Sequence, residues 1–383
     1  MYTPFNVNET EDIKTKLLIL NHKQYYAQDS SVELSTYYRR NEDHYIYSRE
    51  NPSAFEAFHE TEVKSIALSG RHAQSDSFAL NYSTQFITDN IESTTLENNF
   101  TSRDYHKISV LPEYRIELQD DQRLTFRLGA AFDDTNRDES DVSLLGDITW
   151  NTIKADGSSQ TIYLSYAEAS QVAGYTAIGG SDSGGLFRSN YDLGRETAKN
   201  LELGFALDHE TWSLDSAIFY RQDDDLTDWT YSFNSTSARS ANAVNIDTVG
   251  IEFLAIKRFE TIDIITSYTF LNKSEDYGAA NIDASFYALN YPDHRVTLGV
   301  IWRPIDIIEV RIDNEWRKQE DNALRNGDDD ALFTHLTLKV SPEQINGLAI
   351  IFAVDNLWDE AFEEIPGTPG RGDQYTLSAT YSR

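Results

Sequence analysis

"RVTLGVIWRPIDIIEVRIDNEWRKQ", Arg295 to Gln319, consists of two alternating runs joined at a proline. In the first limb Val296, Leu298, Val300 and Trp302 fall on one side of a pleat. After Pro304, Ile308, Val310, Ile312 and Trp316 share a side, and Glu309, Arg311, Asp313, Glu315 and Arg317 share the other. A period of two is the signature of a strand. In a soluble antiparallel sheet the charged side would face bulk water and the apolar side a core. In a transmembrane barrel the pattern is inverted, with the apolar side against lipid and the charged side lining a wet lumen. What the charged side faces therefore decides the fold, and one hairpin does not settle it.

The same alternation recurs along the chain. Seventeen segments of period two begin near residues 12, 31, 60, 76, 104, 122, 141, 159, 196, 211, 244, 262, 293, 306, 330, 347 and 373. Leu124, Phe126, Leu128, Ala130 and Phe132 alternate with Thr125, Arg127, Gly129 and Ala131; Leu201, Leu203, Phe205 and Leu207 alternate with Glu202, Gly204, Ala206 and Asp208. The connections fall into two kinds taken in turn. Short ones include "QDDQ", "DHET", "RFET" and "RPID"; long ones include "NEDHYIYSRENPSAFEAFHE", "EASQVAGYTAIGGSDSGGLFRSNYDLGR", "KQEDNALRNGDDD" and "WDEAFEEIPGTPGRG". A sandwich or propeller has no reason to gather its long loops at one end, whereas an outer-membrane barrel has short periplasmic turns and long external loops. Trp302 beside the "RPID" turn and Trp316 beside the "KQEDN" loop suit rings at the two lipid interfaces. Nine residues from Ile308 to Trp316 match the roughly 9 to 11 that a tilted strand needs to cross. The charged side is thus expected to face a hydrated interior.

A chain of 383 residues could be two or three ordinary domains or one large barrel, and composition favours neither outright. Hydrophobic residues make up 40% of the 383 positions, mean hydropathy is −0.51, and the longest apolar run, Leu348 to Val354, is far short of the roughly 18 to 20 residues of a membrane helix. There is no cysteine, so disulfide staples and thiolate metal sites are excluded. A formal charge of −31 argues against a nucleic-acid partner, which needs clustered Lys and Arg. The start, "MYTPFNVNETED", carries no signal-peptide pattern. Barrels of this kind have an even strand count and both ends in the periplasm. Seventeen strands with the first preceding a short turn predict an odd number missing, so residues 1–383 read as one partial barrel.

Several stretches resemble the β-barrel of TonB-dependent outer-membrane receptors, in that family's order. "IYLSYAEASQVAGYTAIGG" followed by "GLFRSNYDLGRETAKNLELGF" is similar to the family's barrel signature, with Glu196, Thr197, Asn200, Glu202 and Gly204 on the returning strand. "AIFYRQDDDLTDW" and "NIDTVGIEFLA" resemble a pair of family strands through Phe219, Tyr220, Arg221, Gly250, Ile251 and Glu252. His294 and Arg295 in "YPDHRVTLGV", and Asn356 and Leu357 in "AVDNLWDEAF", match later landmarks; "GTPGRGDQYTLSATYSR" resembles the end of the vitamin B12 (cobalamin) receptor branch. The resemblance implies an all-β transmembrane antiparallel barrel of about 22 strands, of which this chain holds about 17, with the amino-terminal plug and the TonB-contacting segment absent. It implies a monomer in the Gram-negative outer membrane, with lipid, the TonB system and a small nutrient (cobalamin, a siderophore or a glycan) as partners. The family usually ends in an aromatic residue; this chain ends Tyr381, Ser382, Arg383.

No enzyme signature stands out, and no cofactor is expected. His59-Glu60 is not an H-E-x-x-H zinc motif, because Val63 stands where the second His belongs. In "DDTNRDESD" (Asp133 to Asp141) Glu139 occupies the tight-turn Gly position of a calcium loop and Leu145 its closing Glu; this stretch, "QDDDLTD" and "NGDDD" are expected to be solvated loop acid rather than a Ca²⁺ site. "GGSDSGG" lacks a following helix and reads as external loop, not a phosphate cradle. The loop from Tyr166 to Arg195, with Tyr175, Phe187, Arg188 and Tyr191, has the aromatic and polar mixture of a ligand-binding mouth, and loop packing explains it equally. No ligand-contacting residue is assigned. A passive porin-like channel and a secreted or surface β-rich protein, an adhesin or glycan hydrolase, are the alternatives.

Overall fold

The computed structural model describes residues 8–119, 121–181, 187–233, 239–368 and 370–382. Seventeen long strands follow one another: β1 Thr10–Ala27, β2 Ser30–Ile46, β3 Glu56–Ala73, β4 Phe78–Ser93, β5 Ser102–Glu117, β6 Gln122–Thr135, β7 Asp141–Ile153, β8 Ser159–Val172, β10 Arg195–His209, β11 Trp212–Tyr231, β12 Arg239–Arg258, β13 Ile262–Asp276, β15 Pro292–Ile305, β16 Ile308–Gln319, β17 Asp330–Val340, β18 Leu348–Asp355 and β19 Gln374–Tyr381. They match the seventeen expected segments one for one. Two two-residue strands, β9 Phe187–Arg188 and β14 Ala284–Ser285, lie within long connections. Each long strand pairs antiparallel with its sequence neighbours. No pairing among the described residues joins β1 to β19, so the meander is an open wall with two free edges.

Register explains why the alternation propagates. Side chains of paired residues lie on one face, so a row can be followed from strand to strand. Leu34, Leu68, Thr84, Ile108, Phe132 and Val142 form one such row. Leu164, Leu203, Ile218, Ile251 and Phe270 form another, and Val300, Ile312, Leu336, Val354 and Tyr375 a third. This apolar face is the open one, with Val354 its buried exception: Leu128 is 75% exposed, Ile66 50% and Leu203 50%. On the opposite face Asp89, Glu113, Asp133, Glu196 and Asp223 are buried. The burial of a water-soluble sheet is thus reversed. Exposed apolar rows that run from strand to strand are the mark of a surface that meets a membrane or a partner.

The charged side of Arg295–Gln319 accordingly belongs to the sheltered face, and its ions pair there. Arg295 Nη2 lies 2.6 Å from Glu315 Oε2, Glu315 also pairs with Arg317, and Arg303 bridges Asp263 and Glu309 at 2.8 and 2.9 Å. Towards the short turns, Glu113 holds both Arg71 and Arg115, at 2.9 and 2.6 Å.

Connections alternate in length less sharply than expected. Residues 28–29, 210–211 and 306–307 are tight turns, and 173–194, 277–291 and 356–373 are long loops, but 136–140 is no longer than 154–158. The strands have taken up part of the loops. β11 and β12 are each 20 residues, about twice a membrane crossing. Above the apolar rows their ladder continues through polar pairs, Asp228 with Asn242 and Thr230 with Ser240, and Asn242 Nδ2 donates to Thr230 Oγ1 at 2.8 Å. Hydrogen-bonded polar pairs extend a strand without an alternating apolar signal.

Candidate functional site: the loop-covered mouth

The long connections fold onto one another at one end of the wall. In 173–194 a single turn of helix, α1 (Tyr175–Gly179), is buried rather than projecting. The Tyr175 hydroxyl donates to the backbone oxygen of Asp89 on β4, and its ring lies 4.4 Å from the Arg103 guanidinium. Asn98 of the β4–β5 loop donates to the Ile178 carbonyl at 2.8 Å. Ala173, Ala177, Ile178, Leu193 and Ala241 then form an apolar cluster against Phe100, Trp229 and Ala243. Two connections, distant in sequence, and the prolonged ends of β11 and β12 share this small core.

A second set of loops interlocks beside it. Asp228 of β11, 1% exposed, accepts from the Tyr277 hydroxyl at 2.7 Å and the Ala288 amide at 3.0 Å. Asn322 donates to the Ser285 carbonyl at 2.7 Å, and Arg325 to Asn290 Oδ1 at 2.6 Å. Between these loops lies a cavity of about 260 Å³ lined by Lys273, Glu275, Tyr277, Asp283, Tyr291 and Glu320, among others. Burial, then the Asp228 carboxylate, pushes the Tyr277 phenol up. Burial raises Tyr291 to about 12. Burial, then neighbouring Asp293, raises Glu320 above the ordinary carboxylate value. The Lys273 ammonium donates to the Ala288 carbonyl at 2.7 Å and sits 4.5 Å from the Tyr291 ring. Such a polar, partly enclosed hollow suits a small ligand rich in hydrogen-bonding groups.

The residues singled out from sequence separate here. Tyr175 is a buried anchor, and Phe187 packs edge-on to Trp229 at 5.1 Å; Tyr191 is 56% exposed, with the Arg137 guanidinium 4.6 Å from its ring. Residues 182–186 of "GGSDSGG" and its flank lie outside the described residues. The landmark glycines prove to be seats for aromatic rings: a Cβ on Gly204 would lie 2.0 Å from Tyr163 Cζ, and one on Gly250 2.1 Å from Phe219 Cζ. Tyr163 reaches over Gly204 to donate to Glu202 at 2.6 Å. Glu196 accepts from Gln171 at 2.7 Å and the Thr227 amide at 3.1 Å. Asn356, in the left-handed region at φ 49, ends β18 and holds the last loop by accepting from the Glu360 amide and donating to the Glu360 and Arg371 carbonyls.

The expectation of solvated acid fails at three aspartates. Asp133 is buried between Lys107 and Arg195, at 2.7 and 2.9 Å. Asp223 is buried beneath the Arg221 fork at 2.6 Å, and Asp228 is the buried acceptor just described. These positions lie within strands and their side chains fall on the sheltered face, where they find cations or donors. No group of three or more potential metal ligands occurs among the described residues. His59 is hydrogen-bonded to Ser93, 2.8 Å away. The residues that build the cavity, Lys273, Tyr277, Tyr291 and Glu320, had no sequence signal because they meet only through loop contacts.

The family profile described as "TonB dependent receptor-like, beta-barrel" matches residues 3–357. The chain belongs to the TonB-dependent receptor β-barrel family. Solved structures agree in fold. The barrel aligns with "Copper transporter OprC" at TM-score 0.72 and 13% identity, covering 98% of this chain and 67% of that one. It aligns with the siderophore receptor PirA from Pseudomonas aeruginosa at 0.66 and 14%, covering 97% and 64%. With the FrpB iron transporter from Neisseria meningitidis (F5-1 variant) the values are 0.72 and 12%, covering 97% and 64%. This receptor barrel thus spans about two thirds of the length of those chains. No curated protein sequence matches it. The family and these structural relatives are outer-membrane receptors and transporters, not enzymes.

Proposed function

We propose that this chain is the wall and mouth of an outer-membrane receptor that imports a scarce, bulky nutrient, with the external loops capturing it and TonB-driven movement of a plug admitting it. The observation that carries the reading is the sheltered charged face, roofed by interlocked loops, behind an exposed apolar face. Lipid takes the apolar rows, and the paired ions of the other face form a hydrated lining. A corrinoid, an iron chelate and a glycan are the ligand classes considered. The closing stretch "GTPGRGDQYTLSATYSR" favours the cobalamin branch, while the solved relatives are named for copper, siderophores and iron. We place the protein as a monomer in the Gram-negative outer membrane, its plug and TonB-contacting segment supplied outside these residues.

Uptake of radiolabelled cobalamin, ferric siderophores and copper, compared in cells with and without the gene and with and without TonB, tests the proposal. One ligand should accumulate only when both are present. Accumulation that ignores TonB would indicate a passive channel, and recovery of the protein in the soluble fraction without detergent would overturn the membrane assignment.

A further inference from the structure

Acidic side chains outnumber Lys and Arg in this chain by 63 to 32, so a buried arginine has many carboxylates to draw on. Arg71, Arg103, Arg195 and Arg295 all lie within ion-pair distance of one. Among the described residues Arg239, at the start of β12 under the loops, does not, and it is only 9% exposed. Its guanidinium lies 4.1 Å from the Phe286 ring and 5.3 Å from the Phe187 ring. Among the described residues its one hydrogen bond is a long 3.3 Å donation from Nη1 to the Tyr287 hydroxyl, whereas a guanidinium carries five N–H donors. Burial of an unpaired cation is costly, and a cation–π contact returns only part of that cost. Rings alone leave the charge short of compensation. Arg188 lies alongside: it pairs through β9 with Ser240, makes no ion pair among the described residues, and its buried Nε has no partner.

We propose that Arg239 is an oxyanion anchor in the roof of the mouth, with Arg188 as its neighbour, and that the captured ligand presents a carboxylate- or phosphate-type group to it. The planar fork of an arginine takes such a group through two parallel hydrogen bonds, and the flanking rings hold the fork in plane. This deepens the receptor reading and depends on it for the ligand's being cargo, but anion binding can be measured without import.

Trp229, 5.1 Å from the Phe187 ring, is a built-in reporter. The protein in detergent micelles is titrated with citrate, inorganic phosphate, neutral sorbitol and cationic spermidine, following tryptophan fluorescence, with Trp229→Phe identifying the local signal. Citrate or phosphate should give a saturable change, weakened at least tenfold in Arg239→Gln, weakened less in Arg188→Gln, and suppressed by salt; whichever anion binds identifies the class. An equal response in Arg239→Gln, or none to either anion, overturns the proposal. Should Arg239→Gln lose its heat-modifiable folded form, the wild-type titrations decide, and saturation by sorbitol or spermidine but by neither anion is the refuting result. Failed uptake with intact citrate binding would refute import and leave the anchor standing.

Discussion

Gly204 faces Tyr163 across the β8–β10 ladder, and the ring occupies the space where a side chain would begin, 2.0 Å from the missing Cβ. Gly204→Ala should therefore destabilise the wall by about 1–3 kcal/mol, the usual cost of overpacking. The loss should appear as a lower midpoint in heat-modified electrophoretic mobility, and adding Tyr163→Ala should restore part of it. Gly174→Ala, with nothing within 4 Å, is the control and should be near neutral. The glycine was visible in sequence as a landmark, but its reason was not, since Tyr163 lies 41 positions away by numbering (204 − 163) and meets it only through register. Glu320 adds a pH signature. Its carboxyl is raised above the ordinary carboxylate value by burial and by Asp293, so the native protein holds that proton to a higher pH than the unfolded chain does. Stability from this group is present at low pH and declines as pH rises through the raised value. Limited proteolysis in 320–329 should be slower near about pH 5 than near about pH 7.5, and Glu320→Gln should flatten the difference; an unchanged pH profile in that variant would remove Glu320 as the cause.

Strands were the most legible element because lipid and lumen impose the period of two on each of them. Leu203 sits mid-row on the apolar face between Leu164 and Ile218. Leu203→Arg should cost about 2–4 kcal/mol, the range for a cation at the bilayer midplane of a barrel. Ser165, on the other face, is paired with Asp147 and Glu202. Ser165→Lys would place a cation between two carboxylates and should be neutral or slightly stabilising when both variants are compared by urea unfolding. Equal penalties for the two would mean that the faces are not solvated differently. Strand ends were read less well: β12 begins at Arg239, not near 244, because Ser240 and Asn242 extend it through polar pairing. Loops were legible only by length, since α1, the Asp228 acceptor and the cavity are assembled from segments that sequence does not bring together.

At the scale of the whole molecule, the two ends of the wall differ in kind. At one, 74–77, 154–158 and 306–307 turn the chain with little structure of their own; at the other, α1, β9 and β14 interlock over the sheltered face. A membrane makes that difference an orientation, because long loops lie outside the cell and short turns inside the envelope. The chain contains no cysteine, so single thiols can report it without background. Ser53→Cys and Asp328→Cys lie in long connections, Asp76→Cys and Ala155→Cys in short turns, and all four positions are exposed. In intact cells a membrane-impermeant maleimide should label the first pair and leave the second unlabelled until the envelope is permeabilised. Exposed surface positions of this kind typically change stability by no more than about 0.5 kcal/mol, so differences in labelling will report sidedness rather than unfolding. Labelling of all four in intact cells would place both ends in the same solvent and contradict a transmembrane wall, while labelling of the short-turn pair alone would invert it and put the proposed mouth on the wrong side of the membrane.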